Sequence, residues 1–185
     1  MILPIYAFGQ PVLRKKCLPI SLDYPGLHQL IEDMYETMYS AKGVGLAAPQ
    51  IGKDIRLFVI DTIQLDKKNE TATGIKKIFI NAELIDESGV PWLYEEGCLS
   101  IPDIHVEIER NPGISIRYFD EEWNEHAEKF DGVNARVIQH EYDHIEGILF
   151  IDRMKPLKRR MINRKLEKIK KGEVEVNHPM RFVKM

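Results

Sequence analysis

Long apolar runs are missing from this chain: no window approaches the roughly 20 consecutive apolar residues that a membrane-spanning helix needs. The first 25 residues, MILPIYAFGQPVLRKKCLPISLDYP, are broken by four prolines and show no uninterrupted apolar stretch behind a basic start. No secretory leader is visible, and a cytoplasmic protein with no membrane partner is expected. Cysteine is scarce as well. Cys17 and Cys98 are the two thiols, and in a reducing compartment they read as buried thiols or ligands rather than a disulfide. Internal repeats and low-complexity segments are absent. At 185 residues the chain suits one well-filled core, so residues 1–185 are expected to form a single domain.

Charge is present in ordinary amount but unevenly placed. Residues 153–171, RMKPLKRRMINRKLEKIKK, hold ten Lys/Arg and one Glu. This segment carries +9 and the whole chain −3, so the remainder stands at about −12. Tail and body therefore suit different partners.

Periodicity supplies the elements. Across residues 25–42, Leu27, Leu30, Ile31, Met34, Tyr35 and Met38 form a helical stripe, with Gly43 as the expected stop. Residues 55–61 and 76–81 are dense in β-branched and aromatic side chains and read as strands, separated by a polar loop over 62–75. Residues 105–110 and 114–120, on either side of Asn111-Pro112-Gly113, read as a hairpin. Across 131–146, Val133, Val137, His140, Glu141 and His144 share one helical face ahead of Gly147. The basic tail, residues 155–185, repeats Leu157, Met161, Leu166 and Ile169 among its charges and reads as a surface helix. The fold class is α+β, with antiparallel strands around a central metal-binding helix and a further helix at the C-terminus.

The metal reading begins at H-E-Y-D-H, residues 140–144. Side chains four apart on a helix point the same way, so His140 and His144 can meet one ion with Glu141 beside its open position. The pattern alone does not exclude histidines that merely pack or face solvent. The metzincin continuation fails at Phe150, where a third histidine would stand. A thermolysin-like glutamate would have to be Glu167, which sits among the tail cations and reads as an ion-pair partner. The remaining candidate for a third ligand is Cys98, in E-E-G-C-L-S; a thiolate with two imidazoles would leave one vacancy, as a catalytic site needs. By itself Cys98 would read as a small buried hydrophobe. The stretch G-V-G-L-A-A-P-Q, residues 43–50, permits close backbone approach to a ligand and ends in the amide of Gln50, although alone it is an ordinary loop.

Taken together and in this order, G-V-G-L-A-A-P-Q, E-G-C-L-S and Q-H-E-Y-D-H resemble the three motifs of peptide deformylases, over most of the chain. The resemblance implies removal of the formyl group from the initiator methionine of nascent polypeptides, with release of formate. It implies that Cys98, His140 and His144 hold one divalent metal, natively Fe²⁺ with nickel, cobalt or zinc as substitutes. Glu141 would be the general acid/base, and Gln50 with the backbone N–H of Leu99 the oxyanion donors. The methionine side chain would then be lined by Val44, Val133 and Val137, and the backbone of Val44 and Gly45 would pair with the extended peptide. N-formylmethionyl peptides and, through the basic tail, the ribosome are the expected partners; direct DNA binding is not expected. Glu96 and Arg110 are expected to pair, and Asp143 to fix an imidazole or join them. Two departures stand out: many deformylases carry an arginine where this chain has His105, and the loop over 62–75 exceeds the compact bacterial pattern. His105 is expected to be a surface or strand residue. The rival readings are a zinc endopeptidase using Glu167 and an RNA- or ribosome-binding module with a structural metal.

Overall fold

The computed structural model describes residues 1–68 and 74–183. Its strands are β1 (Ile5–Tyr6), β2 (Gly45–Ala47), β3 (Leu57–Asp61), β4 (Lys76–Ser88), β5 (Trp92–Cys98), β6 (Ile101–Arg110), β7 (Gly113–Phe119), β8 (Glu125–Asp131) and β9 (Met180–Arg181). The helices are α1 (Leu27–Ser40), α2 (Gly132–Ile145) and α3 (Pro156–Lys171). A five-stranded antiparallel sheet runs in the order β2-β3-β4-β7-β8; β5 and β6 form a separate antiparallel pair, and β1 and β9 a short parallel one. The class is α+β, with α2 against the sheet and α3 near the end of the chain. No helix among the described residues is long and apolar enough to cross a membrane.

The run LFVID in β3 is buried at every position because both sheet faces are covered. Phe58 and Ile60 turn toward α2 and pack with Phe79, Ile116, Tyr118 and Ile138. Leu57 and Val59 turn the other way, toward Leu30, Ile31, Met34 and Met38 of α1. The stripe read from sequence in α1 is thus the face that buries. Its stop differs by one residue: Lys42 takes the left-handed backbone at φ +58°, while a Cβ at Gly43 would lie 2.7 Å from Leu99 Cδ1, so the Leu99 side chain would have to give way.

The hairpin expected across Asn111-Pro112-Gly113 is not formed. β6 pairs with β5 and β7 with β4 and β8, so the Pro112 turn passes from one sheet to the other. The apolar faces explain the split. Ile101, Ile104 and Ile108 bury with Phe150, Leu166 and Ile169, whereas Ile114, Ile116 and Tyr118 bury with α2. The crossing is held by Gly132 N–H donating to Pro112 O at 2.9 Å and Gln139 Nε2 donating to Asn111 O at 3.0 Å.

The tail is helical only as far as Lys171. Its seam is Ile162, Leu166 and Ile169, while Leu157 and Met161 are 73% and 77% exposed, contrary to the expected stripe. Residues 162, 166 and 169 follow the 4-3 spacing of one helical face, from which 157 and 161 are rotated away. Gly172, at φ +74°, then turns the chain back toward the body, where β9 joins β1. In the stretch expected to be a loop, Ile63–Lys68 is a 3-10 helix, and residues 69–73 lie outside the described residues.

Candidate metal centre

The helix α2 places His140 and His144 one turn apart, with ring centroids 5.1 Å from each other. β5 brings up the third group. Its pairing with β6 shifts register between Glu96 and Cys98, and the thiol emerges at the strand end 3.3 Å from His144 Nε2. One ligand atom from each of Cys98, His140 and His144 lies within 4.8 Å of the other two, a spacing that one cation can bridge. His140 spends Nδ1 on Glu96 Oε2 at 2.9 Å, so Nε2 is the nitrogen left for the centre. A thiolate and two imidazoles suit a divalent transition metal with one open position.

Glu141 stands beside this group, buried, with Oε2 free of any partner among the described residues. Burial pushes its pKa up to about 7. Its other oxygen sets the residue at position 45: a Cβ there would lie 2.4 Å from Glu141 Oε1, so anything larger than glycine displaces the carboxylate. Gln50, in the 3-10 helix Ala48–Ile51, accepts from Ala47 N–H through Oε1 at 2.8 Å. That contact turns Nε2 toward Cys98 Sγ at 3.6 Å and Ser100 Oγ at 3.3 Å.

Residues 2–160 match the family model described as polypeptide deformylase. The chain belongs to this family. It is 50% identical to the peptide deformylase of Christiangramia forsetii over 98% of this chain and 96% of that one. Among solved structures, it resembles the peptide deformylase of Legionella pneumophila with 37% identity and a TM-score of 0.80, covering 94% of this chain and 98% of that one. The enzyme of Thermus thermophilus gives 38% identity and a TM-score of 0.83, with 93% and 99% covered. As a deformylase the chain is a metal-dependent hydrolase that removes the N-formyl group from nascent polypeptides.

The group formed by Cys98, His140 and His144 rests on a buried ionic network. Glu96 accepts from Arg110 Nε at 2.7 Å and Nη2 at 3.0 Å, and from Arg136 Nη1 at 3.0 Å. Burial raises the Glu96 pKa, but the hydrogen bonds from His140 and Arg110 outweigh it and hold the carboxyl well below the usual range. Asp143 joins the network rather than an imidazole, accepting from Arg110 Nη1 at 2.7 Å and from Arg153 Nε and Nη2, each at 2.6 Å. Arg136 was not legible as part of the site. It is 2% exposed, lies 4.9 Å from the Trp92 ring and donates to Ile108 O at 2.9 Å. The available signal was its place one turn before His140, between Ala135 and Val137 on a burying face.

A cavity of about 520 Å³ opens beside Cys98 and His140, and Val44, Gly45, Leu99 and Val137 line it. Val133 does not reach this wall; seven residues before His140, it sits roughly 10 Å along the helix axis and packs against the sheet core. His105 is an exposed residue of β6, its ring lying over Gly97 where a Cβ would be 2.6 Å from Cδ2. Glu167 is exposed on α3 and outside the ligand group, which removes the support for a peptidase-type third ligand. Phe150 is buried, its ring centroid 5.8 Å from that of His140, and walls the histidine rather than binding an ion. Ser100 and His178, both near Leu99, were also missed from sequence.

Proposed function

We propose that this deformylase holds Fe²⁺ through Cys98 Sγ and the Nε2 atoms of His140 and His144, with nickel, cobalt or zinc as substitutes. The observation that carries the reading is the unpartnered Glu141 carboxylate oxygen beside three convergent ligand atoms. When bound, the metal supplies Lewis acidity to water and to the formyl oxygen. Glu141 accepts the proton of the attacking water and returns it to the leaving amine, without which the C–N bond would have to expel an amide anion. Gln50 Nε2 and the Leu99 N–H donate to the developing oxyanion, each worth roughly 3 kcal/mol of barrier.

The substrate enters along the open edge of β2. The Val44 carbonyl already accepts from Asp61 N–H at 2.8 Å, and Leu46 is paired opposite Val59. By the alternation of an antiparallel ladder, Gly45 between them turns its N–H and C=O outward, where an extended peptide can add as a strand. The methionine side chain packs on Val44 and Val137. The network through Glu96 fixes His140 by holding Nδ1. Residues 1–185 act as one domain, and the enzyme works in the cytoplasm.

The test is formate release from formyl-Met-Ala-Ser by the anaerobically Fe²⁺-loaded chain, with acetate release from acetyl-Met-Ala-Ser as control. Release from the formyl peptide alone is expected; no release from either would sink the reading. X-ray absorption with no sulfur neighbour to the metal would remove Cys98 from the shell.

The exposed cations of α3, among them Arg160, Arg164 and Lys168, dock the enzyme on ribosomal RNA, where formylated chains emerge. Glutamate at these three positions should abolish ribosome co-sedimentation while leaving deformylation of the free peptide unchanged. In the parent, binding should fall steeply between about 50 and 200 mM salt. Co-sedimentation indifferent to both salt and charge reversal would reject docking.

A further inference from the structure

In E-G-C-L-S, Cys98 belongs to the ligand group and Leu99 is read as an oxyanion donor, but the serine takes neither part. Ser100 is nevertheless fully buried. A buried hydroxyl needs a partner, and its Oγ has one, because Gln50 Nε2 donates to it at 3.3 Å. The backbone that presents the hydroxyl is fixed as well. Cys98 pairs with Ile101, so Leu99 and Ser100 form the two-residue turn between β5 and β6, and Ser100 O accepts from Phe8 N–H at 2.8 Å. One turn therefore carries both the thiol and the hydroxyl.

Gln50 needs that hydroxyl for a geometric reason. The last torsion of a glutamine side chain is broad and roughly two-fold, so an amide held at one end alone can still swing. Here both ends are held, each by a group of matching chemistry. Oε1 accepts from Ala47 N–H at 2.8 Å, and one hydrogen of Nε2 goes to Ser100 Oγ. Exchanging the two ends would set an N–H against the Ala47 N–H. The second hydrogen of Nε2 is then left on the side of Cys98 Sγ, 3.6 Å away. Sulfur is a weak acceptor and holds that hydrogen loosely.

We propose that Ser100 is a positioning residue for deformylation, its hydroxyl holding the Gln50 amide so that the second N–H of Nε2 meets the developing oxyanion. This rests on the reading of Gln50 as an oxyanion donor. Such a donor works by standing in place before the charge appears, and an oxyanion outcompetes a sulfur for its hydrogen. An amide that swings must be ordered during the reaction, which slows the chemical step. The peptide itself is gripped by Gly45 and the valine wall, so its binding does not depend on Ser100.

The experiment is a double-mutant cycle on the metal-loaded full chain. Parent, Ser100→Ala, Gln50→Ala and the double variant are compared on formyl-Met-Ala-Ser, with kcat, KM, metal content and melting temperature recorded for each. Gln50→Ala should lower kcat by about 10²–10³-fold, the cost of a lost oxyanion donor. Ser100→Ala should lose about tenfold in kcat, with KM within about twofold of the parent. In the Gln50→Ala background the same substitution should cost less than about twofold, because the group it positions is gone. An equal loss in both backgrounds would overturn the proposal, since the hydroxyl would then act elsewhere, and so would a Ser100→Ala variant with the kcat of the parent. Both results leave Gln50 its role. A loss that tracks metal content or melting would overturn it too, because the hydroxyl would then be holding the ligands or the fold. Gln50→Ala with the rate of the parent would remove the oxyanion donor and this proposal together, while the deformylase activity stands.

Discussion

Glu141→Gln should lower kcat for formyl-Met-Ala-Ser by about 10³-fold, with metal content and KM close to those of the parent. General acid/base assistance is worth roughly 10²–10⁴, and the proposed mechanism uses Glu141 twice, once to take the proton and once to return it, which places the expected effect above the middle of that range. Glutamine keeps the shape that fits against Gly45, where the contact with Oε1 leaves no room for a side chain. The substitution removes only the proton acceptor. The proposed methionine pocket and the edge of β2 stay intact, so the loss belongs in kcat rather than KM. Stability should move the other way. A buried carboxylate with an unpartnered oxygen is costly, and burial has already raised its pKa to about 7; a neutral isostere relieves that cost, and the metal-free variant should melt at or above the metal-free parent. Steady-state formate release with metal analysis on the same samples decides the matter. Activity equal to the parent would remove Glu141 from the chemistry.

Arg110→Met should destabilise the fold by about 3 kcal/mol, the low end of what breaking a buried ion pair costs. The guanidinium bridges two buried carboxylates, Glu96 and Asp143, and is itself almost wholly buried. Methionine fills a similar volume but leaves both acids short of a donor. The effect stays at the low end because Glu96 keeps Arg136 and His140, and Asp143 keeps Arg153. For a chain of this size the loss corresponds to roughly 6–12 °C in melting temperature. A second consequence follows through His140: with Glu96 less firmly held, the ring that presents Nε2 loses its brace, and metal affinity should fall about 10–100-fold. Calorimetry and competition with a chelator measure the two effects separately. A melting point within about 1 °C of the parent would show that the network is not a structural brace.

The centre divides between what neighbouring residues encode and what they do not. His140, Glu141 and His144 were legible because their relation is a helical spacing, and α2 has them where that spacing puts them. The pairing of Glu96 with Arg110 could be expected from the cost of an isolated buried charge. That Arg136 joins them could not, because an arginine on a helix face is ordinarily solvated. The hairpin across Asn111-Pro112-Gly113 was misread for a related reason: turn residues show that the chain bends there, not which core each flanking strand enters. β8 carries the alternating pattern EHAEKFD with few apolar residues, and its place at the sheet edge, paired with β7, came only from the structure.

Spacing along the chain thus determined the α1 stripe and the α2 face that carries His140, Glu141 and His144, because the direction of a side chain on a helix or strand is set by its near neighbours; the ordered motifs carried the resemblance to the family. Tertiary structure alone decided the rest. It brought Cys98 to His144, gave β6 and β7 to different sheets, turned Leu157 and Met161 outward, and returned His178 to the turn that carries Leu99. Those contacts join segments far apart in sequence, and their free energy comes from faces that bury together across the whole molecule rather than from the periodicity of any one segment.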